Sequence, residues 1–155
     1  MPPKKQLTPQ KKSLWNDTYR IIDANLNRCK EGLRVCEDIA RFHLKSKPTT
    51  QKIAALRHRI ASIVNTCPCD KRLLYRFRDT DNDPGKRSFL GPQRRSFKDI
   101  FMANAQRVKE ALRVLEEFFK LIDTKASKQV QKLRFDFYAL EKKTIERFPA
   151  LLDPR

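Results

Sequence analysis

An all-α fold, four-helix-bundle-like and built from two related hairpins around a long central loop, is predicted by three features of this sequence. Apolar residues recur at three- and four-residue spacing over four segments, with little of the strict alternation that marks half-buried strands. The stretch ANLNRCKEGLRVCEDIARF, residues 24–42, returns 79 positions later as ANAQRVKEALRVLEEFFKL, residues 103–121, with nine of nineteen positions identical. A second echo follows at an offset of 77: Ile53, Leu56, Arg57, Ile60 and Ile63 are matched by Val130, Leu133, Arg134, Phe137 and Leu140. Each long helix is followed by a related shorter one, and a hairpin used twice gives a bundle with an internal pseudo-twofold.

The elements follow in order. Residues 1–12, MPPKKQLTPQKK, hold four lysines and no acid, the composition of a basic disordered tail, and lack the apolar run of a signal peptide. One domain is expected over 13–149, since 155 residues with 39% hydrophobic content suit a single core. Its first helix is expected over 14–44, ended by KSKPTT, and its second over 53–64, making a hairpin of 14–66. Residues 67–95 read as a loop with eight Lys and Arg, four Asp and the breakers Pro84-Gly85 and Gly91-Pro92. Ser96, with Asp99 three residues on, is a capping-box variant that opens a third helix reaching residue 122. DTKAS then separates a fourth over 130–148, stopped by Phe148-Pro149, so the second hairpin is 96–148.

Charge and rare residues narrow the function classes. Thirty-five Lys and Arg against eighteen Asp and Glu give a formal +17, which favours polyanionic partners such as nucleic acid or phosphorylated metabolites. The apolar runs are too short to cross a membrane, and a cytoplasmic protein is expected. Cys29 and Cys36, seven apart on an apolar helical face, read as core thiols, and Cys67-Pro68-Cys69 lacks the second Cys or His pair that zinc requires. Three glycines allow neither a phosphate-binding glycine loop nor a dinucleotide fingerprint, so phosphate would be gripped by side chains and helix ends. His43 and His58 form no nucleophile–base constellation with a Ser or Cys.

The repeated polar letters carry the most information. On a helical wheel Asn25 falls at the centre of the arc of Ile21, Ile22, Leu26, Cys29, Leu33 and Cys36, with Arg28 inside its edge; Glu31, Arg34 and Glu37 lie at the border or outside. Asn104 and Arg107 share the arc of Val108, Ala111, Leu112 and Leu115 in the second copy. Polar groups on an apolar stripe cost free energy unless paired. One reading is structural: Arg28 pairs with Glu31 or Glu110, and Asn25 bonds Asn104 across the pseudo-twofold. The other is a polar cleft between the hairpins that holds an anion, since Arg offers a planar fork of donors suited to phosphate. In the loop, RFRDTDNDPG puts Arg78 beside Asp79, with Asp81 and Asp83 close behind, a density of carboxylates that suits either Mg²⁺ or a hydrated turn.

Taken in order, DANLNRCKEGLRVCEDIARF, RDTDNDPG, RSFKDIFMANAQRVKEALRVLEEFFKL and KLRFDFYALEK resemble the small all-helical hydroxymethylpyrimidine phosphate kinase domain, found alone or fused ahead of thiamine-phosphate synthase. The resemblance covers about residues 14–147. It implies ATP- and Mg²⁺-dependent phosphorylation of 4-amino-5-hydroxymethyl-2-methylpyrimidine phosphate to its diphosphate, with a thiamine-phosphate synthase acting in trans for the later step. On this reading the duplicated letters are two half-sites facing one cleft: Asn25, Arg28, Glu31 and Arg34 from one helix, Asn104, Arg107, Glu110 and Arg113 from the other. Arg28 and Arg107 would hold phosphates, Glu31 and Glu110 would orient these arginines, Asp79 and Asp83 would take metal or order the loop, and Arg78 would contact the transition state or the γ-phosphate. Arg57 and Arg134 are second-rank candidates set against surface salt bridging. Two other classes stand beside this one, a basic helical nucleic-acid binder and a helical adaptor; oligomeric state, a dimer included, is left open.

Overall fold

The structure is a computed structural model that describes residues 9–87 and 91–151. Helix α1 (Pro9–Asp38) runs into a π-helical turn, Ile39–His43; α2 (Lys47–Thr66), the short α3 (Lys71–Arg76), α4 (Phe97–Phe119) and α5 (Thr124–Arg147) follow, with 3₁₀ turns at Pro84–Arg87 and Pro149–Leu151. No strand occurs among the described residues.

Boundaries depart from the apolar pattern where first turns are polar. Residues 9–12, expected in the tail, form the first turn of α1, and residues 1–8 of that tail lie outside the described residues. KSKPTT is mostly the start of α2: Leu44 N–H donates to the Ile39 carbonyl at 2.9 Å, Lys45 turns left-handed at φ 51°, and the Ser46 hydroxyl caps Thr49 N–H. DTKAS is mostly α5, capped by Asp123 through Lys125 N–H at 2.9 Å. A capped first turn needs only free N–H groups and an acceptor, so hydrophobic periodicity does not register it. The Ser96 hydroxyl accepts from Asp99 N–H at 3.1 Å, the cap expected from the sequence, while the Asp99 carboxylate accepts from Arg95 N–H at 3.0 Å, one residue before the cap.

Residues 67–95 hold more structure than expected. Asp70 caps α3, and Cys67, Cys69 and Leu74 are buried in the main core with Leu73 and Phe77 packed against it. The Tyr19 hydroxyl accepts from Asp70 N–H at 3.4 Å, and the Tyr19 ring lies between Trp15 and Phe77 at 6.5 and 6.2 Å, which ties α3 to the first half of α1. The neighbouring Cys67 thiol, with Lys71 close by, lowers the Cys69 thiol to about 7, whereas burial pushes Cys29 and Cys36 up to about 12.

The four long helices close a ring in which α1 lies along α4, α4 on α5, α5 on α2 and α2 on α1. Helices α1 and α4 run antiparallel: Gly32 faces Asn104 and Val108, while Cys36 Sγ reaches the Phe101 carbonyl at 3.8 Å. Arg59 Nη1 meets Asp136 Oδ2 at 2.6 Å, and these residues are 77 apart, so the pseudo-twofold pairs a position of α2 with its own copy on α5. The core runs down the centre through Leu33, Ile60, Leu112, Leu115 and Leu133, each fully buried and each contributing roughly 1.5–3 kcal/mol.

Gly32 permits the α1–α4 approach, because a Cβ there would stand 2.7 Å from Val108 Cγ2 and 3.0 Å from the Asn104 carbonyl oxygen. Overpacking costs roughly 1–3 kcal/mol, more than the ~1 kcal/mol that alanine gains in helix propensity. Gly32→Ala should therefore lower the urea midpoint; a rise would show the seam has slack. Local opening of the connector should let iodoacetamide reach Cys69 before the more deeply buried Cys29 and Cys36, which stay unlabelled until the chain unfolds, as peptide mass mapping can follow.

Candidate functional site

The duplicated polar letters divide into three groups. In the first hairpin Glu37, 8% exposed, accepts from Arg34 Nη1 at 3.3 Å and from Arg57 Nε of α2 at 2.9 Å. In the second, Glu116, 2% exposed, accepts from Arg113 Nη1 at 3.0 Å and from Arg134 Nε of α5 at 2.9 Å, with Gln131 Nε2 at 3.1 Å. These are the same cluster written twice, and Arg57 and Arg134, the second-rank site candidates, are its interhelical halves. Glu37 and Glu116 escaped the wheel because it showed α1 and α4 alone, and the helix that buries each carboxylate is the hairpin partner.

The asparagines do not meet. Asn25 Nδ2 donates to the Ile21 carbonyl and Asn104 Nδ2 to the Ile100 carbonyl, both at 2.8 Å, so each returns to its own helix one turn back. Arg28 and Arg107, expected inside the apolar arc, are exposed, their long stems carrying the guanidinium out past the edge. Arg28 Nη1 donates to Asn25 Oδ1 at 3.4 Å, and Glu110 accepts from Gln106. Among the described residues neither Arg28 nor Arg107 pairs with Glu31 or Glu110.

One cleft gathers the remaining candidates. It lies between the first half of α1 and residues 78–83, has a volume of about 710 Å³, and takes Asn25 and Arg28 from the helix and Arg78, Asp79 and Asp83 from the loop. Four further polar residues on α1 line it: Asp17, Arg20, Asp23 and Asn27. Asp23 is 7% exposed and holds Arg78 in a two-point bond, Nε to Oδ2 and Nη2 to Oδ1, both at 2.7 Å. That bond is the main reason the guanidinium is held above its ordinary pKa. The Arg78 side chain also lies over the Tyr75 ring, 5.1 Å from its centroid. Asp79 accepts from the side chain and backbone N–H of Asn82, which keep its carboxyl below the usual range with help from Arg20. Asp83 accepts from Gly85 N–H at 2.8 Å, so the acidic string forms two tight turns at the cleft mouth.

Among the described residues, neither cleft that takes the first copy's polar letters takes any from the second. Asn104, Arg107, Glu110 and Arg113 stand outside this cleft, and Glu31, Arg34 and Arg57 open instead on a separate groove between α1 and α2. The physical reason is the antiparallel crossing at Gly32, which buries the facing sides of α1 and α4 against each other and leaves no gap between the hairpins. Asp23 was missed because it lies opposite the apolar arc and is buried by α3 from the other side. The duplication does mark it: 79 positions on stands Met102, so one copy has a charge where the other has an apolar side chain. Among the described residues no group of three or more His, Cys, Asp or Glu is placed to hold a metal ion by itself.

Residues 20–143 match the model of the ThiD2 family. The chain belongs to the ThiD2 family. Its matched span takes in Arg20, Asp23, Arg28, Arg78, Asp79 and Asp83 of the cleft. This ThiD2-family chain is similar to the thiamine-phosphate synthases of Nostoc punctiforme, 38% identical over 135 residues, and of Nostoc sp. strain PCC 7120, 40% identical over the same length; each match covers 85% of this chain and 36% of the relative. The thiamine-phosphate synthase of Synechocystis sp. is 40% identical over 124 residues, 79% of this chain and 34% of the relative. The chain thus spans about a third of the length of the curated relatives it matches. No solved structure matches it. In the described residues no helix is long and apolar enough to cross a membrane.

Scaffold and cleft should separate under mutation. Glu116→Gln leaves Arg134 facing a neutral amide and should lower stability by roughly 3 kcal/mol, read from urea denaturation. Arg28→Met, at an exposed side chain with one long hydrogen bond, should leave the melting temperature unchanged.

Proposed function

We propose that this chain transfers the γ-phosphoryl group of ATP to 4-amino-5-hydroxymethyl-2-methylpyrimidine phosphate, giving the diphosphate used in making thiamine diphosphate. The observation that carries the reading is the cleft of α1 and residues 78–83, where Arg20, Arg28 and Arg78 converge with Asp79 and Asp83. Membership of the ThiD2 family and the likeness to thiamine-phosphate synthases support the pathway.

The chemistry asks little of a base. The second pKa of a phosphate monoester is about 6, so the attacking oxygen is largely ionised near neutral pH. It forms a bond to the γ-phosphorus as the bridging bond to the β-phosphate breaks, and ADP leaves with the electron pair. What limits the rate is bringing two anions in line and offsetting their repulsion. Arg28, exposed at the cleft wall with most of its donors unused, is suited to the acceptor's phosphate. Arg78 gives two of its five N–H donors to Asp23 and keeps three for the transferring phosphoryl group, in an orientation fixed before substrate arrives. Asn27 adds an amide that can read a heterocycle edge.

The donor set fits Mg²⁺, which takes one or two protein carboxylates together with phosphate oxygens and waters. Asp79 and Asp83 would hold it, and it would neutralise charge on the phosphate chain. Asp79 is kept ionised by its Asn82 bonds, and Asp83 stands at the same mouth. A thiamine-phosphate synthase would consume the product.

Mass spectrometry of a reaction with Mg-ATP and the pyrimidine monophosphate should show the diphosphate, with far less product from the unphosphorylated alcohol. Arg28→Met and Arg78→Met should each lose about a hundredfold in rate, equivalent to ~2.7 kcal/mol of transition-state stabilisation. No diphosphate at high enzyme concentration would overturn the reading.

A further inference from the structure

A second cleft backs onto the first. It lies between the opening turns of α1 and the end of α3, with a volume of about 560 Å³, and its charged lining is Lys12, Arg20, Arg76 and Arg78 against Asp17 and Asp79. The main cleft has the opposite balance, Arg20, Arg28 and Arg78 against Asp17, Asp23, Asp79 and Asp83. Arg20, Arg78, Asp17 and Asp79 line both, so the two clefts share one wall.

We infer that this second cleft is the binding site for the nucleoside triphosphate, leaving the main cleft to the phosphorylated acceptor; the assignment rests on the phosphoryl-transfer reading above. Charge is the first reason. A triphosphate chain needs an excess of cations, which the second cleft has and the main cleft lacks. The Arg76 and Lys12 side chains are exposed and make no hydrogen bond or ion pair among the described residues, so their donors are free for phosphate oxygens. The second reason is the ring of Phe77, which lines this cleft with the Tyr19 ring 6.2 Å behind it and offers a base a surface to stack on. The main cleft has no aromatic lining. In its place is the amide of Asn27, a group that can read donors and acceptors on a small heterocycle.

The shared wall then gains a purpose. In-line transfer needs donor phosphorus and acceptor oxygen within roughly 3–3.5 Å, and two clefts meeting at Arg78 bring a triphosphate end and a monophosphate to the same guanidinium from opposite sides. Asp23 holds that guanidinium at 2.7 Å through two bonds, so its place at the junction does not depend on either ligand.

Calorimetric titration with Mg-ATP, with inorganic triphosphate and with the pyrimidine phosphate tests this on the full chain. Arg76→Ala and Lys12→Ala together should weaken Mg-ATP and inorganic triphosphate at least tenfold and leave the pyrimidine phosphate within twofold; Arg28→Met should do the reverse. Steady-state KM values for the two substrates should split the same way. Unchanged Mg-ATP affinity in the Arg76 and Lys12 double variant, or a loss confined to the pyrimidine phosphate, would overturn the assignment. If wild-type protein makes no diphosphate yet the titrations split as stated, the transfer reading fails and the nucleotide site stands. If the double variant turns over with an unaltered nucleotide KM, the site fails and the transfer reading stands.

Discussion

Two carboxylates, buried at equivalent places in the two hairpins, govern how this molecule is assembled. Glu37 and Glu116 are 8% and 2% exposed, and a charge that far from water persists only with partners on hand. Each takes one Arg from its own helix and one from the second helix of its hairpin, Arg57 or Arg134, so each hairpin closes in the register that delivers that Arg. With both hairpins set, α1 and α4 come together at Gly32, and the pseudo-twofold passes between Arg59 and Asp136. The buried pairs specify an arrangement, and the apolar core supplies most of the stabilisation.

The duplication accounts for the scaffold, and the cleft sits where the copies part. At the 79-residue offset Asp17 becomes Ser96, Arg20 becomes Asp99, Asp23 becomes Met102 and Asn27 becomes Gln106. Those four positions on α1 line the cleft. The divergence has a physical cause in the chain that follows each hairpin. After α2 comes α3, whose Tyr19 and Phe77 contacts bring Arg78 over α1 and make a buried carboxylate at 23 tolerable. The start of α4 carries a Ser96 cap instead, and Met102 packs against the apolar core. Symmetry gave a stable frame twice over, and one end of one copy was free to become polar.

Arg78 connects the frame to the cleft. Its two bonds to Asp23 and its stacking on Tyr75 hold a guanidinium in a partly exposed position, where an unanchored Arg would sample many rotamers. Fixing the cation in advance removes that ordering cost from ligand binding. Asp79 and Asp83 are fixed in a similar way by Asn82 and by Gly85 N–H, so the acidic string beside Arg78 is ordered by local turns.

The sequence alone determined the helical class, the double hairpin, the capping of α4 and the core thiols Cys29 and Cys36, because each depends on local spacing or on a comparison of the chain with itself. It also supplied five residues that converge in the cleft, Asn25, Arg28, Arg78, Asp79 and Asp83, through a family pattern and a dense run of charge. What it could not contain was which side of α1 each later segment covers. The helical wheel shows a helix facing one core, but α1 is packed on two sides, by α4 and α2 along one and by α3 along the other. That second contact decided that Asp23 is buried and bound to Arg78, and the crossing at Gly32 decided that Arg107 and its neighbours lie apart from Arg28. Both are distances between segments dozens of residues apart, fixed by the packing of rigid helices, and no local pattern in a chain records them.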